Sequence, residues 1–253
     1  MTSATSQSAA GPTFQLLGGV ALHGVPAEDA ERLLTQSKVV ALLACLALAA
    51  PRAFTRRDRL VGLLWPELDQ PHARTALRKA LHLARSILGE DSIVSRGDEE
   101  LALSPHALVC DTTELREAIE RGLLARAVEL YQDELMPGFH LPECQEFDGW
   151  LEEQRATLRE AIVAACWALA QNLEASNNGT LATKYAKKVT RLDKTNERLL
   201  RRAMQMLDRL GDRAGALTVY DEFTRRLRKD LDADPSPETV KLAESLRTGR
   251  SIA

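Results

Sequence analysis

The chain is poor in aromatic residues, in cysteine, in glycine and proline, and in long apolar runs. Each shortage excludes something. Its 253 residues include only 3 Trp, 3 Tyr and 5 Phe. Small and aliphatic side chains must therefore fill most of the core, and that mix favours helices. The four cysteines, Cys45, Cys110, Cys144 and Cys166, are far apart, with no Cys/His cluster at metal-ligand spacing. A metal site is not expected. Cys45 and Cys166 fall in apolar helical patterns, where buried free thiols are expected, as suits a reducing cytoplasm. With 14 Gly and 10 Pro, a collagen-like or low-complexity chain is excluded. The longest apolar run, Val39–Ala50, is too short to span a bilayer. It also begins too late, and without a basic leader, for a signal peptide. A cytoplasmic protein with no membrane partner is expected.

Enzyme signatures are missing as well. There is no phosphate-binding loop, dinucleotide fingerprint, nucleophile elbow or His-Glu-x-x-His. No enzyme activity, cofactor or catalytic residue is expected. What remains is ordinary globular material, 45% hydrophobic and 27% charged, with a net charge of −3.

That charge is unevenly spread. Residues 52–88 hold eight basic side chains against Asp58, Glu67 and Asp69, a net +5, which leaves −8 for the rest. The basic island coincides with helix signals. Thr55-x-x-Asp58 resembles a capping box opening a short helix, Arg56–Leu64, stopped by Trp65-Pro66. Asp69 or Gln70 can cap the next helix, Pro71 suits its first turn, and Gly89 ends it. Within it Ala73, Leu77, Ala80, Leu81, Ala84, Ile87 and Leu88 form one apolar stripe. Arg74, Arg78, His82 and Arg85 share another face, with Thr75 and Lys79 also off the stripe.

Around these helices, Phe14–Leu22 reads as a strand region with a turn at His23-Gly24. Ser37–Ala49 reads as an apolar helix ending before Pro51. Ile93–Ser95 and Leu101–Leu103 form a hairpin about Arg96-Gly97-Asp98. Three helices followed by a hairpin is the order of a winged helix-turn-helix. The fold class expected is mainly α: a winged helix with small β elements, then an all-α helical repeat domain. The divisions expected are a disordered tail over 1–12, a winged helix over 13–106 and the helical domain over 107–253.

A helix in the major groove reads guanine through bidentate arginine, while flanking cations neutralise phosphate. The candidate DNA contacts are Arg74, Thr75, Arg78, Lys79, His82 and Arg85, with Arg56 and Arg57 at the preceding helix and Arg96 on the hairpin. The plain alternative is a solvated basic face. Asp98-Glu99-Glu100 on the wing would repel phosphate. Trp65, Trp150 and Trp167 read as packing residues.

From Asp111 onward the pattern is helical, with one long helix marked by Phe147, Trp150, Leu151, Leu158, Ile162, Cys166, Leu169 and Leu173. Breaks fall at Gly122, Pro137-Gly138, Asn177-Asn178-Gly179, Gly211-Asp212 and Asp234–Pro237. Ala182 and Ala216 lie 34 residues apart, as do Thr190 and Thr224, and this is the tetratricopeptide period. Ala127-x-x-x-Tyr131 and Ala216-x-x-x-Tyr220 share a further frame.

Residues 37–89, "SKVVALLACLALAAPRAFTRRDRLVGLLWPELDQPHARTALRKALHLARSILG", resemble the winged-helix domain of the Streptomyces antibiotic regulatory protein family of bacterial transcriptional activators. "ELMPGFHLPECQEFDGWLEEQRATLR" and "LGDRAGALTVYDEFTRRLRKDLDADPSPET" resemble the bacterial transcriptional activator domain that follows it there. The resemblance implies a cytoplasmic activator that binds repeated half-sites in double-stranded promoter DNA and contacts RNA polymerase. It places the recognition helix on Pro71–Leu88. It also implies a homodimer or a DNA-templated dimer. The alternative function is a tetratricopeptide-type interaction or sensor module whose winged helix mainly contacts protein.

Overall fold

The structure is a computed structural model that describes residues 11–49, 53–104 and 107–249. It has two compact units, one built from residues of 1–121 and 129–157 and the other from 122–128 and 158–253. This differs from the division expected at 106/107, because residues 107–121 and 129–157 pack with the N-terminal unit. Local periodicity marks where helices start and stop but carries no information on which unit they join. Of the tail expected over 1–12, residues 1–10 lie outside the described residues. Pro12 is tied down, its carbonyl accepting from the Val109 N–H at 2.9 Å.

In the first unit the strands β1 (Thr13–Gln15) and β2 (Ala21–His23) pair antiparallel. The single strand region expected over 14–22 is split at Gly18-Gly19, where φ of +77° and +154° requires glycine. A helix α1 (Ala27–Leu34) follows, unforeseen in the sequence because it is only two turns long, and Leu33 is its one fully buried residue. In α2 (Ser37–Ala47) every residue from Val39 onward is buried. Arg116 closes its end, donating to the carbonyls of Leu48 and Ala49 at 2.8 and 3.3 Å. The stop expected at Pro51 lies outside the described residues.

Next come β3 (Thr55–Arg56), α3 (Arg57–Leu64), α4 (Gln70–Leu88), a 3-10 turn, β4 (Ile93–Arg96) and β5 (Glu100–Leu103). β5 lies between β3 and β4, antiparallel to both. The capping box expected at Thr55 and Asp58 does not form. Thr55 pairs with Leu101 in the sheet, and α3 has no side-chain cap. The Glu99 carbonyl of the hairpin instead accepts from the Arg57 N–H at 2.8 Å. β6 (Val109–Cys110) runs parallel to β1, and α5 (Asp111–Glu120) follows. The Asp111 carboxylate accepts from the N–H groups of Leu16 and Leu17. Burial raises its pKa, opposed by these backbone hydrogen bonds.

The remaining helices are α6 (Leu124–Leu130), α7 (Gln145–Ala175), α8 (Gly179–Leu192), α9 (Glu197–Arg209), α10 (Arg213–Leu231) and α11 (Pro237–Thr248). The segment leading into α7 is held by Arg155, buried and donating to the carbonyls of Leu135, Met136 and Phe139. In the second unit α9 packs against α8, α10 and α11. The 34-residue repeat has a structural counterpart there. Asn178 and Asp212, 34 apart, each cap a helix through the N–H three residues on. Ala182 and Ala216, also 34 apart, are fully buried and let neighbouring helices approach. All four cysteines are buried and free. Burial pushes the Cys45 thiol up to about 12 and those of Cys110 and Cys166 up to about 11. Among the described residues no helix is long and apolar enough to cross a membrane.

The cap of α10 has a built-in space limit. Asp212 accepts from the Gly215 N–H at 2.9 Å and pairs with Lys187 at 2.6 Å. A Cβ on Gly215 would lie 2.3 Å from the Asp212 carboxylate and 2.6 Å from the Lys187 side chain. Helix propensity alone would make Gly215→Ala stabilising by roughly 0.5–1 kcal/mol. We expect the opposite sign, a net loss of about 1–2 kcal/mol as the cap is displaced. Urea denaturation of both proteins checks this, and a gain in stability would show that the cap yields freely.

Candidate nucleic-acid interface

α4 forms where its signals lie. The Asp69 side chain accepts from the His72 N–H at 3.0 Å, Pro71 occupies the first turn, and Gly89 terminates the helix with φ +98°. Ala73, Leu77, Ala80, Leu81, Ala84 and Leu88 are buried, and Ile87 is half-buried. α4 packs on α1, α2 and α3. What its other sides carry is fixed by this packing.

The arginines do not simply diverge from a face opposite the stripe. Arg57, Arg74, Thr75, Arg78 and Arg85 gather around one cleft of about 540 Å³, with Leu77, Leu81 and Asp98 also lining it. Arg74 donates to Asp58 at 2.8 Å and lies 3.7 Å from Glu99. Arg78 is exposed and donates to the Thr75 hydroxyl at 2.9 Å, which itself donates to the Pro71 carbonyl. Arg85 is half-buried and points its donors at the hairpin, at 3.2 and 2.7 Å from the Ile93 carbonyl and 3.4 Å from the Ser95 hydroxyl. Arg57 donates to the same Ser95 hydroxyl at 3.3 Å. Arg85 thus braces the wing, a role that helical spacing cannot disclose because its acceptors lie on another element.

Lys79 and His82 are exposed and carry no ion pair among the described residues, and Arg56 is exposed on the short strand β3. Arg96 pairs with Glu100 and stacks over Phe54 at 4.4 Å. The electrostatics follow from crowding. Burial, and then the nearby Arg85, lower the Arg57 pKa, while Asp98 and Glu99 oppose them. The hydrogen bond from Arg74 holds the Asp58 carboxyl below the usual carboxylate range. Asp58 and the position of Glu99 were not legible as partners of Arg74, since no local spacing links them. Trp65 and Trp167 are buried, as expected of packing residues, and Trp150 is half-exposed.

A family model described as "Bacterial transcriptional activator domain" matches residues 106–247. The chain belongs to the bacterial transcriptional activator domain family. Among relatives of this activator-domain chain, it is 28% identical over 228 residues to "Regulatory protein AfsR" of Streptomyces griseus, covering 84% of this chain and 22% of that one. It is 30% identical over 233 residues to "Regulatory protein AfsR" of Streptomyces coelicolor, covering 86% and 23%. The chain therefore spans less than a quarter of the length of these relatives. Among solved structures, it is similar to Mycobacterium tuberculosis EmbR in complex with a low affinity phosphopeptide. The TM-score is 0.58 and the identity 19%, covering 96% of this chain and 66% of that one. That likeness shows the fold: a winged helix followed by an all-helical part.

The geometry separates two arginines of one helix. Arg85→Ala removes hydrogen bonds from a charged donor to a part-buried carbonyl, and we expect a loss of about 1.5–3 kcal/mol of stability. Arg78→Ala should stay within about 0.5 kcal/mol of wild type. Thermal and urea unfolding of the two variants checks the split, and equal effects would contradict it.

Proposed function

We propose that this chain is a cytoplasmic, sequence-specific DNA-binding transcriptional activator. In this reading α4 enters the major groove of promoter half-sites, the bound protein contacts RNA polymerase, and no catalytic step is involved. The observation that carries it is the division of α4. Its apolar stripe is buried, while Arg78, Lys79 and His82 are exposed and hold no ion pair among the described residues. A helix held from behind by α1, α2 and α3 and basic in front suits groove entry. The hairpin next to it, braced by Arg85 and Arg57, suits a wing. Family membership supports the activator role, and the AfsR relatives are named as regulatory proteins.

The candidate contacts divide by geometry. Arg78, Lys79 and His82 are free to reach base edges or phosphates. Thr75 can hold Arg78 in place. Arg56 and Arg57, next to the recognition helix, suit phosphate. Arg96 is already matched by Glu100 and so is a weaker phosphate candidate, and Arg85 serves mainly to position the wing. Paired half-sites call for two protomers on the duplex, as a homodimer or a DNA-templated dimer. The reading of a protein-interaction or sensor module draws on one observation, the acidic run of Asp98 and Glu99 in the wing turn and Glu100 at the start of β5.

Fluorescence anisotropy at several salt concentrations tests the assignment with Arg78→Ala. Loss of a base contact should cost about 1–3 kcal/mol, concentrated at one position of the site. Loss of a phosphate contact should weaken all sequences evenly and lower the salt slope by about one unit. Unchanged affinity and slope in a folded variant would return the lead to the protein-interaction reading.

A further inference from the structure

The surface assigned to DNA carries its own anions. Asp58 lies in the first turn of α3 and Glu99 in the wing turn, and both face Arg74 of α4, at 2.8 and 3.7 Å. The three side chains are about half exposed, at 42% for Arg74, 42% for Asp58 and 51% for Glu99. Solvent therefore reaches the cluster, as DNA could. The carboxylates also have no other ion-pair partner among the described residues. Arg57, Arg78 and Arg85 line the same cleft, and none of them is within ion-pair distance of either acid, although the charge of Glu99 is also felt by Arg57 of α3. The acids thus single out one cation of the recognition helix.

We propose that Asp58 and Glu99 are specificity-determining residues that compete with backbone phosphate for Arg74. The inference rests on the DNA-binding reading above. Binding to arbitrary sequence draws its affinity from neutralised phosphates. A guanidinium already matched by a carboxylate neutralises little more, and the second carboxylate repels an approaching phosphate. Arbitrary duplex therefore gains little from Arg74. At the correct site the close fit of α4 supplies base contacts that can draw Arg74 away, and an exposed pair is weak enough to yield. The two acids thus lower affinity for wrong sequence more than for right sequence.

The test uses the full chain with Asp58→Asn and, separately, Glu99→Gln, each checked for a wild-type melt. Two probes are needed: a duplex that wild type selects from a random pool, and poly(dI–dC). For poly(dI–dC), Asp58→Asn should raise affinity about five-fold near physiological salt and steepen the salt slope by about one unit, as one further phosphate contact would. The selected duplex should gain less than about two-fold, so the ratio between the probes falls. Glu99→Gln should act in the same direction with a smaller effect. In an Arg74→Ala background the effect of Asp58→Asn should fall well below five-fold, leaving only the relief of carboxylate–phosphate repulsion. Equal gains on both probes, or a full effect without Arg74, would overturn the proposal and leave DNA binding standing. If wild type selects no sequence and binds neither duplex, the DNA-binding reading itself fails, and this inference with it.

Discussion

The first unit depends on the burial of one face of α4. Leu77, Leu81 and Leu88, with Ala73, Ala80 and Ala84 between them, are withdrawn from water against α1, α2 and α3. Three buried leucines contribute roughly 5–9 kcal/mol on transfer grounds, a large part of the stability of a typical domain. This burial sets the rotation of the helix and so decides which cations face outward. The alanines matter as much as the leucines, because their size lets α4 lie close to its neighbours. The basic face is thus a consequence of core packing.

Once α4 is fixed, its arginines take three different roles. Arg85 binds the hairpin through the Ile93 carbonyl. Arg74 is held by two carboxylates from α3 and the wing. Arg78 rests on Thr75 and remains exposed. Charge pattern alone treats them as equal, and their partners make them different. The wing is bound to α3 as well, through the Glu99 carbonyl and the Arg57 N–H. The hairpin and both helices of the helix-turn-helix therefore form one connected surface. The bacterial transcriptional activator domain match over 106–247 begins after that surface. The two parts are distinct in sequence even though the compact units divide elsewhere.

How much was legible follows from range. α4 was legible to within a residue, expected over Pro71–Leu88 and found over Gln70–Leu88, because its cap, proline, stripe and glycine stop are all local to it, although the sequence left the cap open between Asp69 and Gln70. The hairpin was legible because Gly97, with φ +59°, marks its turn. α1 was missed although Ala30, Leu33 and Leu34 share one face and Glu28 and Asp29 lie in its first turn, because eight residues give only two turns of periodicity. β3 was misread as part of a capping box because two residues pairing with β5 carry no periodicity. The candidate site was legible as a list of cations. The roles of Arg74 and Arg85 were not, since Asp58, Glu99 and Ile93 meet them only through the tertiary fold. The grouping of residues 129–157 with the first unit was hidden for the same reason.

In the proposed function the outer face of α4 enters a DNA groove. The most direct measurement tethers an iron chelate to His82→Cys and maps strand cleavage on a duplex selected by the protein. The four native thiols are buried, and burial raises their pKa values, so labelling is confined to the new cysteine. Groove entry by α4 predicts cleavage focused within each half-site, in the pattern of a major-groove source. A duplex that binds but is left uncut from position 82, while a chelate on a helix of the second unit cuts it, would show that α4 does not enter the groove.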